Sequence, residues 1–500
     1  MALPDWARSS APDGRFASAR GGVGRGLSLN LVAAVFQFLG AILSTIVLSR
    51  ILLAEDFGVY GMIMPFISII LLIVDGGAIY YMLRSPRVVE RETDMLFWYA
   101  LTCGAVGTAA LVLALPAIAW AMDEPRLIGA GAVASLALFF TALGSQHGAL
   151  MMRCFRNDLR ALAIIGGVIV GVTAGIALGV AGFGYWALIA LLVLRVGVIS
   201  LLNFGLSRWR PGPPRWDRAL MSDIFRLIRP TLRGRIVLAL VRESDKIIIG
   251  VLYSTTLAGF YVFAQMLSVV PLQQILAPSV SVVMPWLAEF KSDQKQVFAR
   301  SWDLLCIFVY VALAPCLFAS FFAGALFALV LGPEMQPSAE PFRILILSAV
   351  TGLTFTLVGI TFQVMDRPDI VERQTLLMAV IFAACYGVAA FDTRFESIAV
   401  ATLVGNLAAL GICIAACFRF FETAAAAPLW RLARSAGAAA LPALTVLALD
   451  SAFTPGALTG FETGDLALII LAFLLIYVGL GSWLFKVHPR DILRYARGIK

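Results

Sequence analysis

Residues 58–74 read GVYGMIMPFISIILLIV, an apolar run without a single charge, closed by Asp75-Gly76-Gly77. A membrane-crossing helix needs about 20 largely apolar residues, and this run, carried on to about residue 82, meets that length. The pattern then recurs along the chain. Comparable stretches lie at about 29–51, 58–82, 95–121, 127–150, 161–181, 185–206, 231–252, 257–285, 301–331, 342–365, 374–391, 397–418, 432–449 and 465–485. Fourteen spans are expected, and the chain reads as an all-α polytopic membrane protein. The stretches at 257–285 and 301–331 exceed one hydrocarbon thickness, so they should tilt or kink at Pro271, Pro278 and Pro315.

Composition agrees. Of 500 residues, 61% are hydrophobic and 14% charged, whereas soluble domains average about 45–50% and about 25%. That excludes a soluble enzyme on an anchor, a disordered chain and a nucleic-acid-binding domain. The net charge of +8 then needs a membrane explanation. If the N-terminus is cytoplasmic, 27 of the 38 Lys and Arg residues fall in cytoplasmic segments. Only Arg50, Arg126, Arg343 and Arg394 fall outside, and the other seven lie in or beside the sixth and seventh spans. This asymmetry follows the positive-inside rule and places both termini in the cytoplasm. No loop exceeds about twenty residues, no Walker motif is present, and the seven cysteines form no CxxC pair. His147 stands alone. No cofactor, metal site, catalytic constellation or nucleic-acid partner is implied, and the chain reads as a non-enzyme.

A faint repeat organises the spans. Phe57-Gly58-Val59-Tyr60 opens the second, and Ala258-Gly259-Phe260-Tyr261 opens the eighth, 201 residues later. Arg156-Asn157-Asp158 and Arg367-Pro368-Asp369 lie at matching connections. The expected organisation is a disordered cytoplasmic tail (1–27), a six-span lobe (28–207), a basic Pro-rich linker (208–222) and a second six-span lobe (223–419). Two further spans and a cytoplasmic tail fill 420–500. Six spans per copy is an even number, so both copies run the same way through the membrane, as in alternating-access transporters.

The segment Leu48-Ser49-Arg50-Ile51-Leu52-Leu53-Ala54-Glu55-Asp56-Phe57-Gly58-Val59-Tyr60, with Asp75-Gly76-Gly77, resembles polysaccharide (O-antigen and exopolysaccharide) repeat-unit flippases. These belong to the multidrug/oligosaccharidyl-lipid/polysaccharide (MOP) exporter superfamily. Ser244-Asp245-Lys246-Ile247-Ile248-Ile249-Gly250, Gly259-Phe260-Tyr261 with Pro271-Leu272-Gln273, and Gly182-Phe183-Gly184-Tyr185-Trp186-Ala187-Leu188 extend the resemblance over about residues 25–420. The family commonly has Asn two residues before the Asp of the seventh span, where this chain has Glu243. The resemblance implies two six-helix lobes around a cavity, in the bacterial inner membrane. It also implies movement of undecaprenyl-pyrophosphate-linked oligosaccharide units for polysaccharide or lipopolysaccharide synthesis. Membrane lipids, a polysaccharide polymerase and export machinery are the partners to expect. A drug/cation antiporter of the same superfamily, a membrane polymerase or ligase, and a lipid II flippase are the alternatives.

The seventh span carries the candidate site by physics alone. Residues 223–253 hold Arg226, Arg229, Arg233, Arg235, Arg242, Glu243, Asp245 and Lys246, and charge at bilayer depth is costly enough to keep a helix off lipid. Arg235, Arg242 and Lys246 fall on one stripe at about 100° per residue. Arginine's planar fork suits phosphate oxygens, so these three, with Arg195 in the sixth span, are candidate contacts for the pyrophosphate. Tyr253 and Tyr261 are candidate stacking platforms for sugar. Glu243, Asp245 and Asp75 are candidates for ion coupling or for structural pairing with the cations. Gly167, Gly171, Gly175 and Gly179 form a packing ladder in the fifth span, and the aromatic residues at span ends, Trp98 among them, read as an interfacial belt.

Overall fold

The computed structural model describes residues 20–76, 90–154, 156–214 and 217–453, and positions 473, 477 and 479. Every regular element among these is helical, as lipid demands: with no water to satisfy backbone groups, a helix must bond its own. Helix α1 is Arg20–Ser49, α2 Ala54–Gly76 and α3 Glu90–Ala121. The fourth stretch is divided between α4 (Arg126–Ala134) and α5 (Leu136–Arg153), and α6 (Asn157–Val180) and α7 (Trp186–Ser207) follow. Next come α8 (Arg218–Leu252), α9 (Thr255–Ala288), α10 (Gln294–Phe321) and the single turn α11 (Ala323–Leu326). The last four are α12 (Ala339–Val364), α13 (Pro368–Ala389), α14 (Glu396–Phe421) and α15 (Ala426–Phe453). Among the described residues, ten helical segments are long and apolar enough to cross a membrane, and the charged α8 is not one of them.

Three boundaries differ from the sequence reading. Helix α1 starts at Arg20, inside the expected tail, because a helix entering the interface keeps its backbone bonds even through the glycines at 21–26. Helix α10 ends at Phe321, and the remainder of the expected 301–331 span becomes α11 and a π turn over Phe327–Leu331. There Gly332 takes φ +98° and Pro333 starts a 3-10 segment, which ends the helical path. The basic linker is short and docked, since α8 begins at Arg218. The expected fourteenth span lies outside the described residues apart from Phe473, Tyr477 and Gly479. Tyr477 stacks on Tyr310 of α10 at 5.1 Å and accepts its hydroxyl at 2.6 Å.

The chain forms two compact units, Met1–Val262 and Phe263–Lys500, dividing within α9. Helix α8 packs along α2, which keeps it and the first turns of α9 with the first unit. In that unit α6 lies between α1 and α7. The glycine ladder explains how closely α6 and α7 approach. A Cβ at Gly167 would stand 2.7 Å from the Arg195 carbonyl, and one at Gly171 would stand 2.6 Å from the Arg195 Cβ and 2.9 Å from the Leu191 carbonyl. The ladder is packing, and what it packs is the backbone that carries Arg195. Gly171→Val is expected to cost about 1–3 kcal/mol, the usual penalty for overfilling a tight contact. A lower melting temperature in detergent is the measurement that checks it.

The linker is strapped to the first unit from both sides. Trp209 is fully buried, with its ring 4.9 Å from His147 and 5.9 Å from Phe97. Arg210 donates to the Phe204 carbonyl at 2.8 Å and lies over the Phe204 ring. Trp98, expected in an aromatic belt, instead donates to the Gly212 carbonyl at 2.8 Å, and Arg91 pairs with Asp217 at 2.8 Å. In the second unit α12 packs on α10 and α14, and α15 closes on α10, where Trp302 donates to the Pro428 carbonyl at 2.9 Å.

Candidate functional site

Helix α8 presents two kinds of exposed surface. Leu240 and Val251 are 47% and 50% exposed, as suits a lipid face. Arg242 is also exposed, yet it lies about 160° and about 180° around the helix from them at 3.6 residues per turn. A charge exposed on the side away from the apolar face needs water or a ligand, not hydrocarbon.

The neighbouring charges are engaged. Lys246 forms an ion pair with Glu243 three residues earlier, and both side chains are mostly covered. Asp245 is 1% exposed and accepts the Tyr261 hydroxyl at 2.9 Å. Lys246 thus neutralises Glu243, and the Tyr261 hydroxyl satisfies one oxygen of Asp245. Tyr261, expected as a sugar platform, has no exposed surface. Its hydroxyl belongs to Asp245 of α8, because an unpartnered carboxylate in this setting would be expensive. Tyr253 follows α8 directly and keeps part of its surface open.

Arg195 sits in the middle of α7, half-buried, within electrostatic range of Tyr60 of α2. Helix α2 thus packs against the helices that carry both Arg195 and Arg242. Arg226 is exposed near the start of α8. Asp75 lies in the last turn of α2 and Arg235 in α8, but their side chains, with those of Arg229 and Arg233, fall outside the described part. His147 is fully buried and bonds Ser207 through Nδ1 at 2.8 Å. Asp303 pairs with Arg431. Among the described residues no group of His, Cys, Asp and Glu could hold a metal ion.

The sequence reading missed a polar cluster at the opposite, charge-poor end of α2. Glu124 lies in the turn before α4 and is 5% exposed. Arg126 grips both its oxygens, at 2.8 and 2.7 Å, and reaches Glu55 at 3.4 Å. Thr255 donates to Glu124 at 2.8 Å and Thr256 to Glu55 at 3.3 Å. In the sequence Arg126 reads only as one of four outer charges. The signal available was the Glu124-Pro125-Arg126 order at a helix start, facing a Thr255-Thr256 pair at another.

The hydrogen bond from Arg126 holds the Glu124 carboxyl below the usual carboxylate range, against the burial that raises it. A depressed folded value means stability that is present above the ordinary glutamate value near 4.5 and lost as pH falls through the lower one. The melting temperature of the protein should therefore exceed that of Glu124→Gln by a constant margin down to about pH 5. The margin should close only in stronger acid, which a series of melts across pH will show.

Comparison with known proteins gives the site its setting. Among curated proteins, none matches this sequence. Among solved structures, the lipid II flippase MurJ in an inward closed conformation is similar with a TM-score of 0.72 at 12% identity, covering 93% of this chain and 99% of its own. An inward-facing multidrug resistance MATE transporter of the MOP superfamily is similar with a TM-score of 0.59 at 16% identity, covering 80% and 98%. A MOP transporter from Pyrococcus furiosus Vc1, described as having a binding pocket of reversed polarity, gives 0.52 at 13%, covering 80% and 95%. At these identities the likeness is one of fold. The family model of the polysaccharide biosynthesis proteins matches residues 47–340, which include every helix described above from α2 to α11. With that match spanning more than half its length, the chain belongs to the polysaccharide biosynthesis protein family and has the helical membrane fold of the MOP superfamily.

Proposed function

We propose that this protein is a flippase. It carries undecaprenyl-pyrophosphate-linked oligosaccharide repeat units from the cytoplasmic to the periplasmic leaflet of the bacterial inner membrane, by alternating access and without covalent chemistry. The observation that carries the reading is Arg242, exposed on the side of α8 away from its apolar surface, in a chain of a polysaccharide biosynthesis family. A pyrophosphate offers paired oxygens to the guanidinium fork, while the glycan occupies polar space and the lipid tail stays in hydrocarbon. Arg195 supplies a second cation from the first six-helix repeat. Lys246 and Glu243 neutralise one another beside Arg242, and Asp245 is buried against the Tyr261 hydroxyl, so the exposed charge offered to a ligand here is that of Arg242. An organic cation would meet the wrong sign there, which disfavours a drug antiporter. A polymerase and export machinery would take the product on the far side.

The test is to deplete the protein and ask which leaflet holds the lipid-linked units, using a membrane-impermeant glycan probe on spheroplasts and on inverted vesicles. Accumulation on the cytoplasmic side, reversed by re-expression, is expected. Normal arrival at the outer leaflet without the protein, or accumulation of lipid II in place of repeat units, would overturn the assignment.

A further inference from the structure

Helix α8 is long enough to cross a membrane and not apolar enough. The Lys/Arg count nevertheless puts its start at the inner face and its end, Leu252, at the outer one. Arg242, Glu243, Asp245 and Lys246 lie about 9–15 Å below that end at 1.5 Å per residue. That reaches the middle of a hydrocarbon core about 30 Å thick. On insertion scales one such charge at the helix centre costs about five to ten times what one Leu or Ile returns. The ten Ile, Leu and Val residues between 236 and 252 therefore offset about one or two of the four charges. Alone, this helix should stay out of lipid.

Part of the cost is met inside α8, where Lys246 pairs with Glu243. Another part is met by neighbouring helices. Asp245 accepts the Tyr261 hydroxyl of α9, and α8 packs along α2. A Cβ at Gly250 would stand 3.2 Å from side-chain atoms of Met62 of α2 and of Met122, which follows α3. The start of α8 is held as well. A linker that merely joined two lobes would need length and no fixings, yet Trp209 is fully buried and Trp98 of α3 donates to the Gly212 carbonyl. Arg91, in the first turn of α3, pairs with Asp217, the residue immediately before α8. The partners of the strap thus lie in α3 and α5, which are synthesised before α8.

We propose that α8 enters the membrane only when helices α1 to α7 are assembled to receive it. The strapped linker fixes where α8 starts, α2 receives its buried side, and Tyr261 closes Asp245 as α9 follows. On this reading the strap is an assembly device: it keeps a helix that lipid rejects beside the surface that accepts it. The inference concerns how the chain is built and holds whatever its cargo.

The test uses the full chain with its seven cysteines replaced and a single Ser254→Cys in the exposed turn between α8 and α9. In newly made parent chains an impermeant maleimide should label this thiol from the outer side of sealed membranes. Tyr261→Phe, which leaves the Asp245 oxygen without its donor, and Trp209→Ala with Arg91→Ala, which releases the strap, remove the two supports. In each, outer labelling should fall about threefold or more, as a span near its insertion threshold responds to a lost partner. The missing label should reappear on inverted vesicles. Making α8 apolar with Glu243→Leu, Asp245→Leu and Lys246→Leu should then restore outer labelling in both backgrounds, because a helix that lipid accepts needs no receiving surface. Undiminished outer labelling in both backgrounds would overturn the proposal. So would a loss that the apolar α8 fails to restore, since the damage would then lie in the first seven helices and not in the entry of α8.

Discussion

Arg242→Ala is expected to lower transfer of lipid-linked units about a hundredfold or more, because removing one partner of a desolvated, hydrogen-bonded charge pair costs about 2–5 kcal/mol. The loss should not come from misfolding. Arg242 is exposed, and the buried residues that pack this part of α8 are Val241, Asp245 and Ile249. Removing a charge also makes a span easier to insert. Membrane level and melting temperature of the variant should therefore match those of the parent, while outer-leaflet repeat units and surface polysaccharide disappear. Arg242→Lys separates charge from shape. It keeps the positive field and loses the planar fork, so partial transfer is expected, with weakened apparent affinity for cargo. Normal polysaccharide output from a stable Arg242→Ala protein would sink the role of α8 in cargo binding.

Trp209→Ala is expected to be the most destabilising single change in the first unit. The side chain is fully buried among Phe97 and His147, and large-to-small changes of a buried Trp cost about 3–5 kcal/mol. Its effect should also be local in a diagnostic way. With the ring gone, the strap is left with the Trp98–Gly212 and Arg210–Phe204 bonds and the Arg91–Asp217 pair, and trypsin should begin to cut after Arg208, Pro211 protecting the bond after Arg210. Melting in detergent reads the first effect and a timed digest the second. A variant that melts lower yet resists trypsin in the linker would mean that the strap does not depend on the Trp.

How much of this could be read in advance follows from the range of each interaction. The spans were legible because lipid imposes its condition residue by residue along one helix, as in 58–74. The ladder at Gly167, Gly171, Gly175 and Gly179 was legible for the same reason, since a period of four names a helix face. The charged stripe of α8 was visible too, because charge in a span is conspicuous without its partner. Partnership was not. Whether Glu243 or Asp245 would take Lys246 depended on rotamers, and Tyr261 looked available for sugar until Asp245 claimed its hydroxyl. The bond from Thr255 to Glu124 joins residues 131 positions apart, and no periodicity spans such a gap. Trp209 sat in a Pro- and Arg-rich run that reads as solvated, and only the apolar surroundings of His147 explain why it turns inward.

Gly58 of α2 lies on the Thr255 carbonyl and Gly259 of α9 on the Ala54 carbonyl, where an added Cβ would stand 2.0 and 1.8 Å from the oxygens, and this reciprocity limits which movements are available to α2 and α9. Sliding one helix along the other by about a turn would bring Ala54 or Met62 over one carbonyl and Thr255 or Phe263 over the other, so both seats would be lost together. Translation along the contact by a turn therefore meets a side chain at both seats, whereas tilting apart meets no such obstacle. Of the two ways that packed helices rearrange, hinge and shear, this pair of glycines permits the first and blocks the second. The crossing sets not only where the two repeats touch but the one direction in which they can leave each other.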